Sequence, residues 1–150
     1  MKVIVENRKI YYNFDVIRKY TAGIVLLGYE VRSIKLGRVG MRDSFVRIVD
    51  GEAYITHLFI STIDNIIEKE KYNPTRRRKL LLNKNEIKEI MKFVHQKGYT
   101  VVPLEIYIVN NRVKLEIAVV KGLRKYDKRE KEKLKSAKRD IERALNQKYK

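Results

Sequence analysis

Cysteine is absent from the 150 residues. The chain therefore has neither a disulfide framework nor a thiolate metal site, which fits a reducing cytoplasm. Histidine is nearly absent too: His57 falls in an expected strand and His95 on an expected helix, positions that favour surface or structural roles over catalytic ones. There is no Gly-rich phosphate loop, no His-Glu-x-x-His and no nucleophile elbow. Nor does any apolar run approach the roughly 20 residues of a membrane-spanning helix. The start, Met1 to Asn7, meets an acid after three apolar residues and does not read as a signal peptide. No metal, cofactor or membrane is expected.

Acid is the other shortage. Lys and Arg number 35 against 18 Asp and Glu, a net charge of +17. The last thirty residues, from Lys121, carry thirteen cations against five acids, and the first 120 residues still carry 22 against 13. Two separate parts of the chain thus favour a polyanion, and nucleic acid in the cytoplasm is the leading class. Ile, Val and Leu in the first part suffice for one real core. The expected organisation is a folded domain over 1–122 and a basic tail over 123–150.

Two hairpins are legible. Ser44–Val49 and Glu52–Ile60 flank Asp50-Gly51, and Thr100–Val109 and Arg112–Val120 flank Asn110-Asn111; both dipeptides tolerate the positive φ of a type I′ turn. Along the last strand Val113, Leu115, Ile117 and Val119 alternate with Arg112, Lys114, Glu116 and Ala118, predicting one buried and one mostly polar face. Lys9–Phe14 and Arg18–Leu27 also read as strands. About six short strands with few βαβ signals predict a mainly β fold, a closed antiparallel barrel.

Two helices are expected on that barrel. Asn83 and Glu86 form a capping-box pattern before Ile87, Ile90, Met91 and Val94, with a start as early as Thr75 and a stop at Gly98. A shorter helix runs from Tyr29 to Leu36 and ends at Gly37. Glu68–Asn73 reads as a flexible loop. In the tail Leu134, Ala137, Ile141 and Tyr149 make a narrow helical stripe interrupted by like-charge pairs. That pattern predicts disorder alone and a helix on a partner.

The strongest local feature in the domain is Asn73-Pro74-Thr75-Arg76-Arg77-Arg78-Lys79-Leu80-Leu81-Leu82. Four consecutive cations at the start of a helix oppose its dipole and one another, which favours phosphate contact over a merely solvated basic face. Glu30, an acid among cations, reads as a surface salt bridge, with hydrogen bonding to base or ribose as the alternative. Of the ten tyrosines, most belong to core or rim, while Tyr126 lies in the basic tail.

Several blocks, in order, match one pattern: Asn7-Arg8-Lys9, Ala22-Gly23 before Gly28-x-Glu30-Val31-x-Ser33, Gly37-Arg38 before Asp43-Ser44-Phe45, Pro74-Thr75-Arg76-x-Arg78-Lys79-Leu80-Leu81-Leu82, Lys97-Gly98-Tyr99, and Lys121-Gly122 followed by Tyr126-Asp127-Lys128-Arg129. The chain resembles the small protein B family, the SsrA-binding proteins of bacterial trans-translation. The resemblance implies an oligonucleotide-binding-type (OB-like) β-barrel with three helices, including one in the tail, and no enzymatic activity. Its expected partners are the tRNA-like domain of transfer-messenger RNA, the ribosome with its small-subunit RNA, and elongation factor Tu in the delivery complex; the chain is expected to be a monomer. Asn7, Arg8, Lys9, Glu30, Arg38, Thr75, Arg76, Arg78, Lys79, Leu81, Asn83, Lys114, Lys121 and Gly122 are the residues this implies for RNA contact or its support. Tyr126, Asp127, Lys128 and Arg129 fall on the tail motif that the family uses at the decoding centre. Three positions depart from the family: Thr21 replaces a usual acid, Leu123-Arg124 replaces Lys-Lys, and Thr62-Ile63 replaces Pro-Tyr. The alternatives are a different ribosome- or RNA-associated OB-like barrel with an unrelated basic tail and, as the weaker reading, a metal-dependent RNA-processing enzyme using Asp15, Asp43 and Asp64.

Overall fold

The computed structural model describes residues 1–61, 71–122 and Arg139. In chain order the elements are β1 (Lys2–Glu6), α1 (Ile10–Asn13), β2 (Phe14–Ile24), α2 (Gly28–Lys35), β3 (Val39–Gly40), β4 (Phe45–Val49), β5 (Glu52–Thr56), β6 (Phe59–Ile60), β7 (Arg78–Leu81), α3 (Lys84–Val94), β8 (Tyr99–Val109) and β9 (Arg112–Gly122). Seven strands form one antiparallel sheet in the order β1-β8-β9-β2-β7-β5-β4, and β3 pairs with β6 separately. The sheet rolls until β4 lies against β8. Hydrogen bonds do not close the seam among the described residues, because β1 occupies the edge of β8 from Glu105 to Ile108. The fold is mainly β and OB-like, with a rolled sheet rather than the closed ladder expected.

Both hairpins form at their predicted turns, but the second strand of the first is shorter than expected. It ends at Thr56, His57 turns the chain with a φ of 64°, and Phe59–Ile60 pair with β3 in the separate sheet. Asp50 and Gly51 have φ of 51° and 75°, and Asn110 and Asn111 have 50° and 64°, the paired positive values of a type I′ turn. The inward side chains of the rolled sheet, among them Ala22, Ile55, Leu80, Ile106, Leu115 and Ile117, pack with Ile34 of α2 and Ile90 of α3 into one core. Reciprocal caps start α3: the Glu86 amide donates to Asn83 Oδ1 at 2.9 Å, and the Asn83 amide to Glu86 Oε1 at 3.1 Å. Tyr20 Oη donates to Glu89 at 2.9 Å and ties α3 to β2.

Three expectations change. Lys9–Phe14 is not a strand; Ile10 to Asn13 make a one-turn helix that lays Ile10 on the outside of the sheet. There it covers a second small core of Val102, Leu104, Ala118 and Val120, so the end of β9 is apolar on both faces rather than polar on one. The long helix does not begin near Thr75. Arg78 and Leu80 point inward while Lys79 and Leu81 point outward, and this two-residue period places β7 between β5 and β2. The tail helix and residues 68–70 of the expected loop lie outside the described residues.

Candidate nucleic-acid interface

The four-cation run is accommodated from inside the protein. Arg78 is fully buried beneath α2, where its Nε and Nη2 donate to Glu30 Oε2 at 2.8 and 2.6 Å. Its remaining donors reach the Leu58 carbonyl, Tyr72 Oη and the Pro74 carbonyl. Arg76 pairs with the same carboxylate, Tyr72 Oη donates to it at 2.9 Å, and the Leu27 amide donates to Glu30 Oε1 at 2.8 Å. Burial pushes the Glu30 carboxyl up, but hydrogen bonds from Arg76, the Leu27 amide and Arg78 outweigh it and hold the group below its ordinary value. Burial and the Glu30 bond together push the Tyr72 phenol up to about 12.

Glu30 is therefore no surface salt bridge. It is wholly buried, and it starts α2 while fixing the turn from Asn73 to Arg76. Thr75 sits on that turn, exposed, its amide and hydroxyl both bonded to Asn73 Oδ1. The other two cations of the run face outward: Lys79 pairs with Glu52 at 3.1 Å, and the Arg77 guanidinium lies 4.3 Å from the centre of the Tyr54 ring. Acids from elsewhere in the fold thus offset Arg76, Arg78 and Lys79, so for these three an external anion is not required, while Arg77 rests on a ring. Arg78 and Glu30 are scaffold, with no surface to offer a ligand.

The outer face of β7, β2 and β9 brings expected residues together. Gly23 stands opposite Leu81 on one side and Lys114 on the other. A Cβ at Gly23 would meet Leu81 Cβ and Cδ1 at 3.3 Å, so the missing side chain lets Leu81 lie close to the sheet. Leu81 is nonetheless 54% exposed, an apolar side chain on the open face of a strand. An open groove runs from it past Gly23, Leu26 and Val31 to Arg112 and Lys114. Such a surface offers an apolar floor with cations at its rim, the combination that base or ribose packing and phosphate contact require. Asn83 caps α3 two residues beyond Leu81.

Other expected residues lie apart. Asn7, Arg8 and Lys9 form the corner between β1 and α1, where the Asn7 amide donates to the Leu104 carbonyl at 2.7 Å and Arg8 pairs with Glu6. They line a second groove with Met41, Arg42 and Asp43. Arg38 is exposed after α2, its carbonyl accepting from the Ser61 amide. Lys121 and Gly122 end β9, with Lys121 Nζ 5.5 Å from the Tyr99 ring centre. Thr21 stands opposite Glu116, itself opposite Glu105, which pairs with Glu6, so carboxylates line the row beside the groove. Tyr126 to Arg129 and Asp64 lie outside the described residues. Among those described, no group of three His, Asp or Glu side chains is placed to hold a metal, and no helix is long and apolar enough to cross a membrane. Sequence reasoning gave Tyr54 and Tyr72 no site role, had Arg77 only as one cation of the run and Gly23 only as part of the family pattern; the lone glycine inside a strand carried a signal of close approach.

Comparison with known proteins agrees over nearly the whole chain. The family described as SmpB protein matches residues 4–147. The SsrA-binding protein of Persephonella marina is 47% identical over 150 residues, covering 100% of this chain and 95% of that one. Its counterpart from Carboxydothermus hydrogenoformans is 44% identical over 148 residues, covering 99% of each. A chain of the solved structure "tmRNA-SmpB: a journey to the center of the bacterial ribosome" superposes with a TM-score of 0.69 at 36% identity, covering 87% of this chain and 94% of that one. None of these descriptions names a catalytic activity. With the rolled sheet and the ordered motifs in common, the chain belongs to the SmpB protein family.

Proposed function

We propose that this chain binds the tRNA-like domain of transfer-messenger RNA and delivers it to stalled ribosomes for trans-translation, in which the nascent peptide is tagged and the ribosome released. The observation that carries this reading is the end-to-end similarity to SsrA-binding proteins and to a chain solved with tmRNA and the ribosome. The open groove beside Leu81, Gly23 and Lys114, apolar with cations at its rim, supports the reading. The work is divided: residues 1–122 recognise the RNA, and residues 123–150, with Tyr126, Asp127, Lys128 and Arg129, engage the decoding centre and the empty mRNA path. The chain acts as a monomer in the cytoplasm, with elongation factor Tu in the delivery complex, and binds RNA without turning it over.

Within the domain, Leu81, Lys79 and Lys114 touch RNA directly, with further contacts from Asn7, Arg8 and Lys9, from Arg38, Thr75 and Arg76, and from Lys121 and Gly122. Arg78 and Glu30 act through the residues they hold. A gel shift tests this: the protein retards transfer-messenger RNA in preference to a control RNA of equal length. Equal affinity for both at matched salt would sink the reading. Removing residues 129–150 should spare RNA binding and stop peptide tagging, and loss of both together would show that the division is wrong.

A further inference from the structure

The outer face of the sheet continues past Lys79 to its β4 edge. In register, Arg47 of β4 stands opposite Tyr54 of β5, which stands opposite Lys79 of β7. All three belong to the outward set, since their neighbours Val46, Ala53, Ile55, Arg78 and Leu80 are buried. Arg77 joins them from just before β7, its guanidinium 4.3 Å from the centre of the Tyr54 ring. Three cations thus meet on one patch, and among the described residues the carboxylate bonded there is Glu52. That carboxylate is already engaged, accepting from Tyr54 Oη at 2.8 Å and from Lys79 Nζ at 3.1 Å. Arg47 and Arg77 are both exposed, and among the described residues neither has a carboxylate partner.

We infer that Arg47 and Arg77, with Tyr54 as the plate that orients Arg77, form a second phosphate-contact strip that extends the RNA surface from the Leu81 groove to the β4 edge. The inference rests on the RNA-binding reading above; it adds Arg47 and Tyr54, which lie outside every motif that led to it, and gives Arg77 of the cation run a defined seat. Arg47 and Arg77, with no carboxylate partner among the described residues, are like charges on one face that a bound phosphate would offset. Stacking on Tyr54 holds the Arg77 plane and leaves its edge donors free, so a bidentate bond to phosphate costs less ordering than from a free side chain. The row is continuous: β4, β5 and β7 are adjacent strands, and Leu81 lies two residues beyond Lys79 on the same face. Neighbouring strands are about 4.8 Å apart, so the row from β4 to β9 crosses roughly 19 Å of surface, enough to meet separate phosphates of a folded RNA.

The test is a salt titration of transfer-messenger RNA binding, read by fluorescence anisotropy on the full chain. Losing two phosphate contacts should flatten the slope of log affinity against log salt by roughly 2, and weaken binding about 10- to 30-fold near 0.15 M salt. This is the result expected for Arg47→Gln with Arg77→Gln, with an unchanged melting curve. Arg77→Lys, which keeps charge without stacking, should restore the slope contributed by Arg77 but not the full affinity. If the double variant matches the parent in affinity and slope while Lys114→Ala is weakened, the strip is wrong and the groove reading stands. If the parent itself shows no preference for this RNA over an equal-length control, both fall.

Discussion

Replacing Glu30 by Gln removes the one charge that balances a fully buried Arg78. Both side chains are 0% exposed, and Arg78 spends its donors on Glu30, Tyr72 and two carbonyls. Breaking a buried pair from one side costs about 3 to 5 kcal/mol, far more than the net worth of the pair, because the survivor is left charged and desolvated. For a domain of this size that is a drop of roughly 10 to 20 °C in thermal midpoint. Urea unfolding followed by circular dichroism measures it directly. The cost should also depend on pH. The folded carboxyl lies below its ordinary value of 4.5, so its contribution is present above that value and fades as pH falls through the lower folded one. A second variant, Glu30→Gln with Arg78→Met, should recover most of the loss, since an apolar replacement of both partners leaves no orphan charge. A single-variant cost under about 1 kcal/mol, or no recovery in the double, would refute the reasoning.

Other outcomes are expected. Gly23→Ala forces Leu81 away from the sheet by a few tenths of an ångström, so RNA affinity should fall while the unfolding free energy changes by less than about 1 kcal/mol; unchanged affinity would remove Leu81 from the contact surface. Asn83→Ala should cost about 1 kcal/mol in urea unfolding through loss of the reciprocal cap of α3. Burial, then the neighbouring Glu116 and Glu6, pushes the Glu105 carboxyl up. Its stabilising contribution is therefore full below the ordinary value of 4.5 and lost as pH rises through the higher folded one. Glu105→Gln should accordingly stabilise the protein at pH 7 and not at pH 4; a loss of stability at pH 7 would contradict this.

The elements that local chemistry fixes were legible. Both type I′ turns, the Asn83 cap and the stop at Gly37 each depend on two to four adjacent residues, and all stand where the pattern puts them. Lys9–Phe14 and Arg76–Leu82 read wrongly because tertiary partners overrode local preference. Ile10 is drawn onto the outside of β8 and β9, while β7 is pulled out of a helical pattern by the vacancy between β5 and β2. The candidate surface divides the same way. Leu81 and Lys114 carried a signal through the family pattern, but their meeting across Gly23 belongs to strand register, which nothing in a stretch of sequence encodes by itself.

By itself, then, the sequence determined the polyanion preference, the hairpins and the ordered motifs that mark the family, because charge and turn geometry are properties of residues and their near neighbours. Which cations are available to a partner was decided only by the tertiary structure. Arg76, Arg77, Arg78 and Lys79 are four similar charges in a row, yet folding gives one to a buried carboxylate, shares another with it, lays a third on a ring and leaves the fourth on the outer face. The physical reason is that desolvation and pairing depend on what stands across space, and Glu30 reaches Arg78 over 48 residues of chain.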